Sequence, residues 1–242
     1  MLNQLKADTL KLRRTPFFLL HLLIPLLGIV IFISYQQITP YQAEALSINY
    51  DQLLALIYPL IAVWMCTIVT DQEFEAGGGF FLLYTPSRKR TLLSKLLFLT
   101  VFGLMACLLV VLGYHLLVSG LNTDYKLPIA ISFQLALVIW CCSLFQYFFH
   151  TWIGLRFGRN VNFAVAAFEL LLGALLLTGL GETIWFFFPC AWGVRLVPLV
   201  ANQAWGQFGL QLGVIALLLF TVVMGVLLFA WFPRWEGRKN EE

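Results

Sequence analysis

Charge is scarce in this chain: lysine, arginine, aspartate and glutamate make up 11% of its 242 residues, and 61% of them are hydrophobic. Soluble domains carry about 25% charged residues, so a water-soluble globule is excluded. Catalytic signatures are missing too. There is no GxxxxGK[ST], no HExxH, no GxSxG and no acidic metal cluster, so nothing here can cradle and hydrolyse a nucleotide or hold a catalytic metal. Ser119, Ser132 and Ser143 have no base placed to activate them, which removes the case for an intramembrane hydrolase. The five cysteines (Cys66, Cys107, Cys141, Cys142 and Cys190) show no CxxC or Cys/His ligand spacing, and four fall in apolar runs. They read as small hydrophobes, with no metal site expected. A net charge of +3 gives no argument for nucleic acid.

What is present is long apolar runs. A helix rises about 1.5 Å per residue and needs about 20 apolar residues to cross about 30 Å of hydrocarbon. Six stretches qualify, near 17–35, 52–70, 92–118, 129–154, 161–181 and 208–232. Unpaired backbone groups are too costly in lipid for anything but helices or closed barrels, and these runs do not alternate as barrel strands do. The expectation is an all-α, polytopic membrane protein forming one transmembrane domain over 1–242. The first run follows about 16 polar or amphipathic residues and lacks a small-x-small cleavage site, so it is read as a mature span.

Thirteen of the fifteen basic residues fall before span one, between spans two and three, between four and five, or after six; only Lys126 and Arg195 lie on the alternate side. The positive-inside rule then places both termini in the cytoplasm, with about 36–51, 119–128 and 182–207 outside. Residues 1–16 put Met1, Leu2, Leu5 and Leu12 roughly on one helical face and Lys6, Lys11, Arg13 and Arg14 largely on the other. That pattern fits a helix lying in the membrane interface, and equally a solvated basic leader. Pro25 and Pro59 interrupt apolar runs, as hinges or as packing irregularities. Residues 182–207 carry Trp185, Pro189, Trp192, Arg195 and Trp205. They are too few to cross and too apolar for water, so they are expected to dip into the outer leaflet or to rest compactly on headgroups.

The segment 71–90 has acids, a glycine triplet, aromatics, a proline turn and a basic cluster. Gly77, Gly78 and Gly79 would each cost about 1 kcal/mol within a helix, so a bend is expected there. Asp71, Glu73 and Glu75 would extend span two, Phe80, Phe81, Leu82, Leu83 and Tyr84 would cross the cytosolic face, and Ser87 would cap the helix after Pro86. Aromatics rimmed by charge suit a protein contact, and the same residues also fit an ordinary loop whose Phe and Leu rest on lipid. Within the spans, Glu169 is the acid nearest mid-membrane. Eleven Val, Leu and Phe residues of span five contribute about −3 to −7 kcal/mol on the insertion scale against about +3 for the acid, so the span still inserts. Glu169 should face the interior, with His150 of span four at comparable depth as its partner, or else be protonated. His21 and His115 are read as interfacial.

This organisation resembles the permease subunits of ABC-2 type exporters, which have an interfacial helix, six spans, a coupling helix between spans two and three, and short re-entrant helices between five and six. Within that class, Glu73, Glu75, Gly77, Phe80, Leu82, Leu83, Pro86, Arg88 and Lys95 are similar to the pattern of lantibiotic self-protection permeases. The resemblance implies that Glu73, Glu75, Phe80, Phe81, Leu82, Leu83, Tyr84 and Arg88 meet a cytosolic ABC ATPase that binds ATP and magnesium, the chain itself holding no cofactor. It also implies a sister permease (or a homodimer), surrounding lipids, a bacteriocin peptide as substrate and a bacterial plasma membrane. Two readings compete: an ion- or proton-coupled carrier using Glu169, and a non-transporting scaffold or sensor.

Overall fold

The computed structural model describes residues 2–75, 77–85, 87–123 and 125–238, with side chains from residue 4 onward. Met1, Pro86, Lys239 and the side chain of Leu2, which enter the sequence argument, lie outside what is described. In chain order the elements are α1 (Leu2–Leu12), α2 (Phe17–Ile38), α3 (Ala43–Glu75), α4 (Phe80–Leu83), α5 (Arg88–Leu121), α6 (Ile129–Phe157), α7 (Arg159–Leu177), α8 (Pro189–Ala201) and α9 (Phe208–Trp231). Among the described residues every regular element is helical, and six (α2, α3, α5, α6, α7 and the α9 region) are long and apolar enough to cross a membrane. The protein is an all-α polytopic membrane protein.

Two helices outrun their apolar stretches. The 33 residues of α3 and the 34 of α5 span about 50 Å, well beyond about 30 Å of hydrocarbon. Hydropathy marks 52–70 and 92–118, but the flanking polar turns stay helical, so α3 includes Asp51 at one end and Asp71–Glu75 at the other. The bundle therefore has a charged end, built from α1, the end of α3, α4, the start of α5, the α6–α7 junction and the end of α9. The far end holds the α2–α3 and α5–α6 connections and α8. Gly158, at φ 88°, breaks what would otherwise be one helix into α6 and α7, a conformation that excludes most side chains.

α3 is central and packs on α6, α7 and α8. α2 and α9 turn much of their apolar surface outward, through Leu19, Leu26, Leu27 and Val30 on one and Ile215, Leu218, Val222 and Val226 on the other, as lipid-facing helices do. Pro25 and Pro59 sit inside continuous helices. Pro25 borders an apolar pocket of about 160 Å³ lined in part by Gly28, Tyr50, Met65 and Cys107. On α5, Gly103 lets α6 bring the Tyr147 ring against its backbone, where a Cβ would collide with the ring. That places the Tyr147 hydroxyl 2.7 Å from that of Tyr58. Gly103→Val is expected to overpack this contact by about 1–3 kcal/mol, lowering the thermal midpoint in detergent; an unchanged midpoint would mean that α5 and α6 can part at no cost.

Between α7 and α9 the chain folds back into the bundle. Two short 3-10 turns, Gly179–Gly181 and Trp185–Phe187, lead to α8, which opens on Pro189 at a position where the missing amide hydrogen costs nothing. Trp192 and Val197 of α8 are fully buried. The Trp192 indole donates to the Phe186 carbonyl at 2.9 Å, and Trp185 is buried against Gly213 of α9. Arg195 closes the end of α7 by donating to the carbonyls of Leu176 and Thr178 at 2.9 and 2.6 Å. Gln52 of α3 donates to the Val194 carbonyl at 2.8 Å. Trp205 stays exposed.

Candidate functional site at the charged end

α3 ends at Glu75, and Gly78 and Gly79 take φ values of 61° and 82°, open to glycine and strained for most other residues. This turn directs α4 across the bundle end. Its four residues divide by face. Phe80, Phe81 and Tyr84 are 61%, 57% and 80% exposed, whereas Leu82 is 1% exposed and Leu83 packs partly on the core. Phe80 and Tyr84 stack with centroids 6.0 Å apart, and the Lys11 ammonium lies 5.4 Å from the Phe81 centroid. The result is a small platform of three exposed aromatic rings on a buried leucine foot.

Beneath it lies an ion network that the sequence does not announce. The Glu73 carboxylate, 1% exposed, accepts from Lys11 of α1 at 2.8 and 3.0 Å and from Lys95 of α5 at 2.6 Å. Lys95 also lies 3.6 Å from Asp8 of α1, whose second oxygen accepts from the Ser94 hydroxyl at 2.5 Å. Two acids and two ammoniums balance, so α1, α3 and α5 are joined by a charge-balanced cluster that is buried except for the half-exposed Lys11. Of the residues expected to meet a partner, Phe80, Phe81, Tyr84 and Glu75 are exposed. Glu73 and Leu82 turn inward, one held by two ammoniums and the other by apolar packing, so neither presents a surface to a partner in this conformation. Ser87 occupies the N-cap position of α5, yet its side chain makes no capping bond; the Thr91 hydroxyl donates to the Ser87 carbonyl at 3.3 Å instead.

The face of α1 that packs carries Asp8 and Leu12, both buried, while Lys6, Arg13 and Arg14 are exposed. Asp8 follows Leu5 by three residues and precedes Leu12 by four, which sets an acid on the apolar face of the helix; that was its one signal in the sequence. Beside α1, a cleft of about 1100 Å³ opens between α3 and α7. It is lined by Trp64, Ile68 and Phe163 in its apolar part and by Lys11, Arg14, Asp71 and Glu75 in its charged part.

Among the described residues, two buried histidine–carboxylate pairs lie elsewhere in the bundle. His150 of α6 and Glu169 of α7 meet at 2.9 Å between Nε2 and Oε2, and the opposite ring nitrogen, Nδ1, is 2.8 Å from Asn162 Oδ1. Toward the far end, His115 Nε2 lies 2.8 Å from Asp51 Oδ2, and its Nδ1 meets the Tyr125 hydroxyl. Asp51 and His115 are almost completely buried; His115 lies near the far end of α5, and it meets Asp51 there because α3 begins before Asp51. Burial pushes the Tyr125 phenol well above its usual range and keeps it protonated. Among the described residues no group of acids, histidines and cysteines is arranged to hold a metal ion.

The described residues form a bundle with six membrane-crossing helices and an aromatic platform exposed at one end on a glycine-hinged segment. A model of the family described as ABC-2 family transporter protein matches residues 4–168, well over half of the chain, and the chain belongs to that family. The family supplies the transmembrane component of ABC transporters and works with a separate ABC ATPase subunit. No curated protein matches the chain.

Proposed function

We propose that this chain is the permease subunit of an ATP-driven exporter that removes a bacteriocin peptide of the lantibiotic class from a bacterial plasma membrane, protecting the cell that makes it. The observation that carries the reading is the α4 platform. Phe80, Phe81 and Tyr84 stand exposed on a segment too short to fold alone, in a region whose basic residues favour the cytoplasmic side. Exposed aromatics in one patch are the usual anchors of an interface. Both termini are then cytoplasmic, ATP and magnesium bind on the ATPase, and its closure on nucleotide pushes α4. A second six-helix permease, a related sister subunit or a copy of this one, completes the pathway and covers part of the exposed apolar surface. The mixed lining of the 1100 Å³ cleft, apolar at Trp64, Ile68 and Phe163 and charged at its rim, suits an amphipathic peptide taken from the bilayer. The buried α8 segment, re-entrant in this reading, lies near the release side.

The test is co-expression with ABC ATPases encoded beside the gene, followed by purification in mild detergent. Wild type is expected to retain an ATPase, and Phe80→Ala/Phe81→Ala/Tyr84→Ala to lose at least nine-tenths of it while remaining monodisperse. Loss of three aromatic anchors at about 1–2 kcal/mol each accounts for such an effect. An ATPase that binds neither form, or both equally, would remove the coupling role from α4.

A further inference from the structure

The coupling segment is tied to the last helix of the bundle. Arg88, at the first position of α5, folds its guanidinium back over α4: Nε donates to the Leu83 carbonyl at 3.1 Å, and Nη1 donates to the carbonyls of Pro233 and Trp235 at 2.9 Å each. One side chain thereby joins the end of α4, the start of α5 and the segment that follows α9. A guanidinium is suited to this because its donors form a rigid planar fork, which a lysine cannot reproduce.

The segment after α9 is itself anchored. Phe232 and Trp235 are 1% and 5% exposed, and their rings stack with centroids 5.8 Å apart. Trp235 packs edge-on against Phe74 at 6.0 Å, and the Arg238 guanidinium covers the same phenylalanine, 3.8 Å from its centroid. Arg238 also donates to the Gly154 carbonyl of α6 at 2.6 Å and lies 3.5 Å from Asp71 of α3. Phe74 in turn floors the glycine bend, for a Cβ on Gly79 would stand 3.0 Å from its ring. Residues 232–238 thus touch the end of α3, including the Phe74 that underlies the bend, and also α4, the start of α5 and the end of α6.

We propose that residues 232–238 form a transmission clasp, with Arg88 as its positioning residue, through which displacement of α4 is passed to α9 as well as to α3 and α5. This rests on the coupling role proposed for α4, and it assigns Arg88 to the inside of the permease, away from the ATPase surface. The clasp lies beyond the matched stretch 4–168, so it does not follow from family membership. Its physical basis is that packed elements joined by several directional bonds move together, whereas a segment held only by its two chain connections moves alone.

The experiment uses the co-purified complex with ATPase, carrying Gly206→Cys labelled with a membrane-impermeant environment-sensitive fluorophore. Gly206 is exposed at the far end, just before α9, with nothing within 4 Å of a Cβ; the five native cysteines are buried or half-buried, and the unsubstituted protein controls for their labelling. ATP with magnesium is expected to change the fluorescence in the parent. Arg88→Gln should cut that change at least fivefold while ATPase retention and nucleotide binding stay within twofold of the parent, a combination that general loss of structure would not give. Trp235→Ala, which attacks the clasp from its other side, should do the same, and serves alone if Arg88→Gln fails to fold. A parent that does not respond, a variant that responds fully, or an Arg88→Gln protein that is monodisperse yet loses the ATPase would each overturn the clasp. Failure of the parent itself to retain any ATPase would instead overturn the coupling role of α4.

Discussion

Glu73→Ala is expected to destabilise the bundle by about 3–5 kcal/mol, because it leaves Lys11 and Lys95 facing one another with no carboxylate between them. Lys95 is nearly buried and would keep only the more distant Asp8, 3.6 Å away, and a buried ammonium that loses its nearer carboxylate costs more than the pair contributed. The loss should first appear as release of α1. Asp8 holds Lys95 at 3.6 Å and Ser94 at 2.5 Å, but nothing would then hold Lys11 to α3. Two measurements check this: the thermal midpoint in detergent, and tryptic cleavage at the exposed Arg13 and Arg14, which should accelerate as α1 detaches. Removing the charge of the whole network, as in Asp8→Asn/Lys11→Met/Glu73→Leu/Lys95→Met, should recover much of the stability, since apolar replacements of similar volume commonly substitute for buried ion pairs. A Glu73→Ala protein that melts with wild type would show that the network contributes nothing to holding α1.

The spans were legible because lipid leaves the backbone few alternatives, and apolar runs of sufficient length declare themselves. Their ends were less so. Hydropathy reports what hydrocarbon tolerates, and the polar turns Ala43–Asp51 and Asp71–Glu75 remain helical beyond it, which is why Asp51 reads as loop and stands buried against His115. The bend at Gly77–Gly79 was readable from cost alone. Which side of α3 its acids would occupy was not: Glu73 and Glu75 are two residues apart, so they point well away from one another on a helix, and only the position of α5 decides that Glu73 is inside. Arg88 reads as one of a basic cluster, since its acceptors are carbonyls 145 and 147 residues away, and backbone carbonyls leave no mark in a sequence. Glu169 and His150 were a different matter. An acid that must be shielded in a span needs a polar neighbour at its own depth, and the adjacent span holds His150 there.

That pair carries the second large effect, which separates a structural role from a proton relay. Asn162 donates its Nδ2 hydrogen to the His150 carbonyl at 3.0 Å, so its Oδ1 is the atom that faces His150 Nδ1 at 2.8 Å, and Nδ1 must carry a hydrogen. The remaining ring nitrogen, Nε2, faces Glu169 Oε2 with a single proton between them, whether written as imidazolium and carboxylate or as imidazole and carboxylic acid; both are neutral overall. Glutamine at 169 preserves this arrangement, because its amide hydrogen can be donated to a neutral Nε2. Glu169→Gln is therefore expected to fold and transport like wild type within about twofold. Glu169→Ala, which strands a fully buried histidine nitrogen, should cost about 1–3 kcal/mol of stability, read as a lower thermal midpoint and lower yield of folded protein. A carrier that moves a proton through this pair requires the opposite order: Glu169→Gln would fold normally and be inactive, because an amide does not exchange its hydrogen as a carboxyl does. Protection against the peptide proposed as substrate, in cells expressing the complete transporter, distinguishes the two. Full protection with Glu169→Gln favours the proposed entry of ATP-derived energy at α4, while loss of protection in a folded Glu169→Gln protein would move the driving step into the membrane.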